Sequence, residues 1–360
     1  MIETIRKICI VGGGNVGLSC VFDFQKIFLK KEIYILTKKC TFFNSKIQRI
    51  DPEKNLCETI DKGFVFTNEY DLALKDADLV VVTLPSFCIS EFVSKLESYN
   101  PKIILYVPGY GNKDFFSQKL IKRGIIVAGF DRSPYVCRII DNKTIYCSKK
   151  NNVRIATVGN PINPQVVNMF SLLFGLQIIP LSNYYVVNFT PSNPILHTSR
   201  LYSLFKDANC EKKYNRMIKF YSEWDDFSSE IMLGMNSELQ DLCSKIEKEK
   251  AIDLSEMIFL NEHYEVTDSK SMTKKLRSIN SLSKIESPML KKNNSYFIDL
   301  DSRYFKEDFK FGLYILKLYA DHFNIKTPNM DLVLIWYQNI SGEKFFDDDG
   351  TLLKLFSINI

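Results

Sequence analysis

The sequence predicts an α/β domain with a mostly parallel, doubly wound sheet over residues 1–182, followed by an all-α domain over residues 183–360. Three observations predict this. An apolar, β-branched run near the start stops at a glycine cluster and gives way to a helical pattern. Short apolar runs then alternate with helical ones through the first half of the chain. From Asn193 on, apolar residues recur at helical spacing. Strands alternating with helices imply βαβ units, and a chain of this length holds about two domains.

The first strand and its turn are Lys7-Ile-Cys-Ile-Val-Gly12-Gly13-Gly14-Asn15-Val16-Gly17, and Leu18 to Leu29 reads as the helix that follows. The glycines have the spacing G-x-G-x-x-G, and each has a physical task in a dinucleotide site. Gly12 lets the strand turn sharply. Gly14 lets the backbone approach a pyrophosphate with no Cβ in the way, and Gly17 lets the helix pack close to the strand. The helix start presents N–H groups and positive dipole to the phosphates. A strand before the glycines and a helix after them make this a Rossmann fingerprint rather than a Gly-rich turn.

Glu32 to Leu36 reads as the second strand. Leu79 to Leu84 is an apolar strand ended by Pro85-Ser86, and Glu91 to Leu96 is helical. Lys102 to Val107 and Ile125 to Phe130 are further strands, the former broken by Pro108-Gly109-Tyr110-Gly111. Thr144 to Cys147 and Val153 to Val158, separated by a polar turn, read as a hairpin at the sheet edge. In the second half Tyr214–Tyr221, Phe227–Ile246, Met272–Leu282, Gly312–Phe323 and Asn329–Ile340 read as helices whose apolar stripes are core. Ser287 to Asp308, with a strand-like Tyr296-Phe297-Ile298, reads as a long structured connection.

Composition narrows the function. Hydrophobic residues at 46% and charged residues at 25% suit a soluble globular protein, expected in the cytoplasm. The net charge of +5 is scattered, a poor footprint for nucleic acid. Nine cysteines without a C-x-x-C argue for reduced thiols, with no disulfide framework and no metal site. Arg6-Lys7 before an apolar run imitates a signal peptide, but the run holds three glycines and an asparagine and lacks a small-residue cleavage site. No segment is long and apolar enough to span a membrane.

An NAD site commonly carries an acid about 20 residues beyond the glycines to hold the ribose 2′-OH. Here the second strand ends in Thr37-Lys38-Lys39 instead. A hydroxyl and two ammonium groups suit a 2′-phosphate, so NADP(H) is favoured over NAD(H). Asn15, Val16 and Pro85 complete the expected cofactor-binding set with Gly12, Gly14, Gly17 and the Thr37–Lys39 cluster.

Hydride transfer to a carbonyl or imine needs an acid/base, most often histidine. There are three histidines. His263 and His322 lie among polar residues on helical stretches, whereas His197 lies in Thr190-Pro-Ser-Asn-Pro-Ile-Leu-His197-Thr-Ser-Arg200, where the second domain begins. A second constellation is Asp301-Ser-Arg303-Tyr304-Phe-Lys-Glu307-Asp308. Asp308 reads either as the cap of a helix starting near Phe309 or as an acid that fixes a histidine tautomer. Arg303 reads either as a bidentate carboxylate contact or as a surface arginine.

Asn193-x-x-x-His197, Arg303-Tyr304-x-x-Glu307-Asp308, Thr327-Pro-Asn-x-Asp331-x-x-Leu334 and Pro134-Tyr135-Val136-Cys137-Arg138 together resemble the octopine/nopaline (opine) dehydrogenase family, in order and over nearly the whole chain. The resemblance implies a Rossmann domain, a helical domain, and reductive condensation of an amino acid with a 2-oxo acid by NAD(P)H. It implies His197 as acid/base, Asp308 as its partner and Arg303 as a substrate-carboxylate contact, with Asn193 and Arg138 as further substrate-binding positions. The expected partners are those small molecules, with neither nucleic acid nor membrane, and a homodimer as an open question of assembly. Thr198 and Phe309-Lys310 depart from the family, which often has proline after the histidine and an apolar residue and proline after the Glu-Asp pair. A ketopantoate-reductase-like or 3-hydroxyacid dehydrogenase and a non-catalytic NAD(P)-binding regulator are the alternative readings.

Overall fold

The computed structural model describes residues 2–28, 32–43, 46–52, 54–207 and 212–358. The chain divides into two compact units, Met1–Asn188 and Phe189–Ile360.

The first unit is built on β1 (Lys7–Val11), β2 (Glu32–Leu36), β3 (Ile47–Asp51), β4 (Leu56–Ile60), β5 (Val65–Thr67), β6 (Leu79–Val82), β7 (Ile103–Tyr106), β8 (Ile126–Phe130), β9 (Tyr135–Ile139), β10 (Thr144–Lys149), β11 (Asn152–Thr157) and β12 (Gln177–Pro180). Eight of them form one sheet in the order β12-β11-β8-β7-β6-β1-β2-β5. Every pairing in it is parallel except β11 with β8. Its central strands are apolar on both faces because both are covered. Ile8, Ile10, Leu79, Val81, Ile103 and Leu105 pack on one side with the Asn15–Ile27 and Pro164–Phe174 helices. Cys9, Val11, Val80, Val82, Ile104 and Tyr106 pack on the other with the Ile89–Leu96 helix.

β2 lies on one flank of β1 and β6 on the other, so the strand order reverses at β1. In open α/β sheets such a reversal leaves a crevice at the carboxyl ends of the strands, and the glycine turn leaves β1 there.

The sequence reading paired β10 with β11 as an edge hairpin, and the structure corrects this. β10 lies between β3 and β9 in a separate sheet of order β4-β3-β10-β9, whereas β11 lies between β8 and β12. Both strands were legible from their alternation, but the alternation served different cores. Ile145 packs with Leu18, Phe22, Phe43 and Ile47 over the Asn15–Ile27 helix, while Val153 and Ile155 join the main core. A buried polar network joins this second sheet to the same helix. Asp23 accepts hydrogen bonds from Arg49 Nη2 at 2.8 Å and from the Tyr135 hydroxyl at 2.7 Å, and it pairs with Lys149 at 2.8 Å. Asn15 to Ile27 is the observed extent of the first helix, and Leu29 of the expected helix lies outside the described residues.

Helices dominate the second unit, which also carries the hairpin β13 (Met289–Lys292) and β14 (Ser295–Ile298). Its longest helix, Asp226–Lys250, starts where the Asp225 side chain accepts the Ser228 amide. It buries Ile231, Met232, Met235, Leu239, Leu242 and Ile246, an amphipathic stripe. The helices Leu196–Phe205, Ser269–Arg277, Tyr314–His322 and Pro328–Ser341 complete the set longer than two turns.

Tyr214–Tyr221, expected to be helical, is not. It is irregular, with isolated bridges from Tyr214 to Tyr296 and from Lys219 to Glu286 and a turn at Phe220-Tyr221. The Phe220 amide donates to Ile285 O at 2.8 Å and the Ser287 amide to Ile218 O at 2.9 Å. Tertiary pairing with the 285–296 segment overrides the local period. The Thr327–Leu334 motif starts the last helix: Glu238 accepts the Asn329 and Met330 amides at 2.6 and 3.0 Å, and Lys317 pairs with Asp331 at 2.7 Å.

Candidate active site

In the first unit the glycine turn has the stereochemistry its sequence requires. Gly12 has φ +110°, a conformation side chains avoid, and its amide donates to Leu36 O at 2.9 Å. A Cβ on Gly17 would lie 1.9 Å from Gly12 O, so only glycine lets the helix approach the strand this closely. A Cβ on Gly13 would lie 2.8 Å from Thr37 Oγ1. Gly14 differs: it is exposed and nothing lies within 4 Å of where its Cβ would be. It is also the first residue of the helix boundary, with no side-chain cap. Open space beside a bare helix start fits a pyrophosphate.

The surrounding residues fasten the turn. Thr83 Oγ1, beyond β6, donates to Val11 O at 3.0 Å. Asn15 Oδ1 accepts the Ile139 amide of β9 at 2.8 Å, which brings the second sheet to the turn. Arg138, exposed, is the preceding residue on β9. Val16 is half-buried beneath the turn, and Pro85 begins the short helical turn after β6. Thr37 Oγ1 accepts the Lys39 amide at 3.2 Å, and Lys38 and Lys39 are exposed where β2 ends.

In the second unit, two segments 111 positions apart meet. His197 lies in the first turn of the Leu196–Phe205 helix, its amide donating to Asn193 O at 3.0 Å. Asp308 lies between the short Arg303–Lys306 turn and a π-helical turn, Phe309–Leu313. Its side chain makes no cap bond to that turn. Instead Asp308 Oδ2 is 2.8 Å from His197 Nδ1, and the aspartate is buried. Burial pushes the Asp308 carboxyl above its ordinary value, and the adjacent imidazole pulls it back.

The other ring nitrogen is also partnered: His197 Nε2 is 3.1 Å from the Tyr221 hydroxyl. An ionised Asp308 can only accept, so Nδ1 carries the proton and Nε2 accepts from Tyr221, a tautomer inferred from the bonding. Tyr304 lies over the imidazole at 4.6 Å between ring centroids, and Phe220 meets it edge-on at 5.5 Å.

The segments are held rigidly. Gly312 in the π-helical turn packs on Pro194, where a Cβ would come within 3.1 Å of two proline carbons. Phe309 is buried and stacks on Tyr337 at 4.0 Å, with Phe305 joining them. Lys310 pairs with Glu343, and Thr198 Oγ1 donates to Pro194 O at 2.5 Å, so both departures from the family pattern have structural partners. Arg200, one helical turn beyond His197 and 1% exposed, donates to Phe220 O at 3.0 Å, Glu223 O at 2.5 Å and Asp225 at 2.6 Å. It therefore fixes the segment that carries Tyr221.

Arg303 is 60% exposed at its side chain and donates Nε–H and Nη2–H to Oε2 of Glu307, a carboxylate only 3% exposed. Asn193 is half-buried one turn before His197. The structure thus brings His197, Asp308 and Asn193 into one neighbourhood, while Arg138 stands with the glycine turn. His263 and His322 are exposed. Tyr221 escaped the sequence reading because it was assigned to the core stripe of a helix that does not form. Among the described residues no group of three His, Cys, Asp or Glu side chains could hold a metal ion, and no helix is long and apolar enough to cross a membrane.

Residues 180–341 match the family model described as NAD/NADP octopine/nopaline dehydrogenase, alpha-helical domain. An opine dehydrogenase of Haliotis discus hannai is 23% identical, over 95% of this chain and 92% of that protein. Among solved structures, octopine dehydrogenase in complex with NADH and agmatine superposes with a TM-score of 0.79 at 17% identity, covering 96% of this chain and 92% of that one. Yersinopine dehydrogenase with NADP+ bound superposes with a TM-score of 0.68 at 11% identity, covering 94% and 91%.

Proposed function

From its membership of the octopine/nopaline dehydrogenase family we infer that this chain is an NAD(P)H-dependent oxidoreductase that condenses the amino group of an amino acid with a 2-oxo acid and reduces the imine, reversibly. The observation that carries this reading is the 2.8 Å contact between His197 and the buried Asp308. A histidine with an acid on Nδ1 is oriented and charge-balanced for proton transfer, which each stage of imine formation requires.

Gly12, Gly14 and Gly17 with the following helix start would hold the pyrophosphate. When bound, the nicotinamide supplies the hydride that reduces the imine carbon. Arg303, its fork steadied by Glu307, offers a carboxylate site for the 2-oxo acid. His197 takes a proton from the ammonium group so that a neutral amine can attack the carbonyl. Asp308 stabilises the imidazolium formed, and the same proton is returned when the carbinolamine oxygen leaves as water. Reductive condensation consumes a proton overall, so oxidation of the product is favoured by alkaline conditions.

NADP(H) is the favoured cofactor, supported by Thr37, Lys38 and Lys39 at the end of β2, where an NAD site commonly has an acid. The nine cysteines, with no C-x-x-C, suit a reducing compartment such as the cytoplasm. A matrix of amino acids against pyruvate, 2-oxoglutarate and glyoxylate, with NADPH and NADH compared, tests the reading. Consumption of reduced cofactor that requires both an amine and an oxo acid is expected. Consumption with an oxo acid alone would refute condensation.

A further inference from the structure

Both nitrogens of His197 are already engaged within the second unit. Nδ1 is committed to the Asp308 carboxylate at 2.8 Å, which holds its proton in place. Nε2 is the only outlet, and the Tyr221 hydroxyl stands on it at 3.1 Å. This placement is built rather than incidental. The Tyr221 ring is buried and lies parallel to Trp224, with 6.1 Å between centroids and 15° between planes. Its backbone is fixed on both sides by Arg200, through Phe220 O and Glu223 O. The same Arg200 belongs to the helix that carries His197, so donor and acceptor are positioned by one buried side chain. Burial also holds the phenol well above its ordinary titration range, so the hydroxyl keeps its proton and remains a donor.

We propose that Tyr221 is the proton relay of this site: its hydroxyl, bonded to His197 Nε2, passes the proton between the imidazole and the oxygen that leaves the substrate as water. This rests on the imine-forming reaction proposed above. In the dehydration step the Tyr221 O–H gives its proton to the carbinolamine hydroxyl. The C–O bond breaks with its electron pair on that oxygen, and the nitrogen lone pair forms the C=N bond of a protonated imine. The imidazolium gives its Nε2 proton to the Tyr221 oxygen. Water departs, and tyrosine and histidine are both neutral at the end, the positive charge having moved from the ring to the imine. Amine deprotonation uses the same path in the opposite direction.

Tyr221→Phe keeps the ring packing and removes only the hydroxyl. Two measurements on the full chain test the proposal. The first is nitrogen NMR of the imidazoles without substrate, with only three histidines to resolve and His197→Ala as the assignment control. The His197 Nε2 resonance should move toward that of an unbonded nitrogen in the variant, with an unchanged Tm. The second is turnover with the productive amine and oxo-acid pair. We expect kcat to fall on the order of 10²-fold or more, the range for a positioned proton-transfer group, with nucleotide affinity within about twofold. An unchanged Nε2 resonance, or an active wild type whose kcat survives Tyr221→Phe, overturns the relay. A wild type without turnover on any pair, but with an Nε2 resonance that responds to the substitution, refutes the condensation reading and retains Tyr221 as the proton partner of His197.

Discussion

Asp308 has to be charged to balance His197 and buried to be held still, and these demands oppose each other. Burial raises its carboxyl above the ordinary value, and the imidazole lowers it again. Asp308→Asn keeps the volume and removes the charge. Turnover should drop roughly 10²–10⁴-fold, while the Tm should hardly move because the side chain caps nothing. Full activity in this variant would remove Asp308 from the site. Combining it with His197→Ala should cost little more than the worse single change, since groups acting as a unit are not additive. The pair also sets a pH dependence of stability. Asp308 already lies above its unfolded-chain value because burial outweighs the imidazole, and in His197→Ala the carboxyl also loses the cation that lowers it, so the gap widens. Across that window the native state holds a proton the unfolded state has released, and stability falls as pH rises. Urea unfolding followed upward from about pH 4, the ordinary carboxylate range, should show this decline most strongly in His197→Ala and lose it in the double variant. His197 and Asp308 were legible because their flanking residues form a spaced pattern. Tyr221 was not, since nothing in its flanks distinguishes a hydrogen-bonded phenol from a core ring.

At the scale of elements, the site depends on a widened turn. Leu313 N donates to Asp308 O at 2.8 Å, a bond five residues long that opens Phe309–Leu313 beyond α-helical pitch. π-helical turns of this kind are frequent at functional sites. Gly312 lets the turn lie against Pro194 and so brings the Asp308 segment to the His197 segment. Gly312→Val should therefore destabilise the protein by about 1–3 kcal/mol, as overpacking does, and should reduce turnover because the two segments are pushed apart. A variant with wild-type stability and kcat would show that the close approach is dispensable. The sequence period found the Asp226–Lys250 helix and the parallel strands, where local pattern and burial agree. It failed for Tyr214–Tyr221, and it found β10 but not the sheet that β10 joins, because partners distant in sequence decide both. An alternating strand declares its two faces but not the sheet it will join.

At the scale of the molecule, the residues proposed for nucleotide selection and those proposed for proton handling belong to different units, so each set should respond to substitution separately. Thr37→Asp would place a carboxylate at the end of β2. It should shift preference toward NADH by about 1–3 kcal/mol, the size of a hydrogen bond to a charged group, without altering the pH dependence of turnover. An unchanged ratio of kcat/KM for the two cofactors would show that this position does not meet the ribose. The glycine turn itself is gripped from two directions, by the main sheet through Gly12 and Thr83 and by the second sheet through Asn15 and Ile139. A loop restrained in this way has little freedom left to surrender when a nucleotide arrives, so the entropic penalty of ordering it has been met during folding. Asn15→Ala releases one of the two grips. Titration calorimetry on that variant should record weaker nucleotide binding in which the entropy term has become less favourable, because the ordering that folding now accomplishes would be deferred to the moment of association.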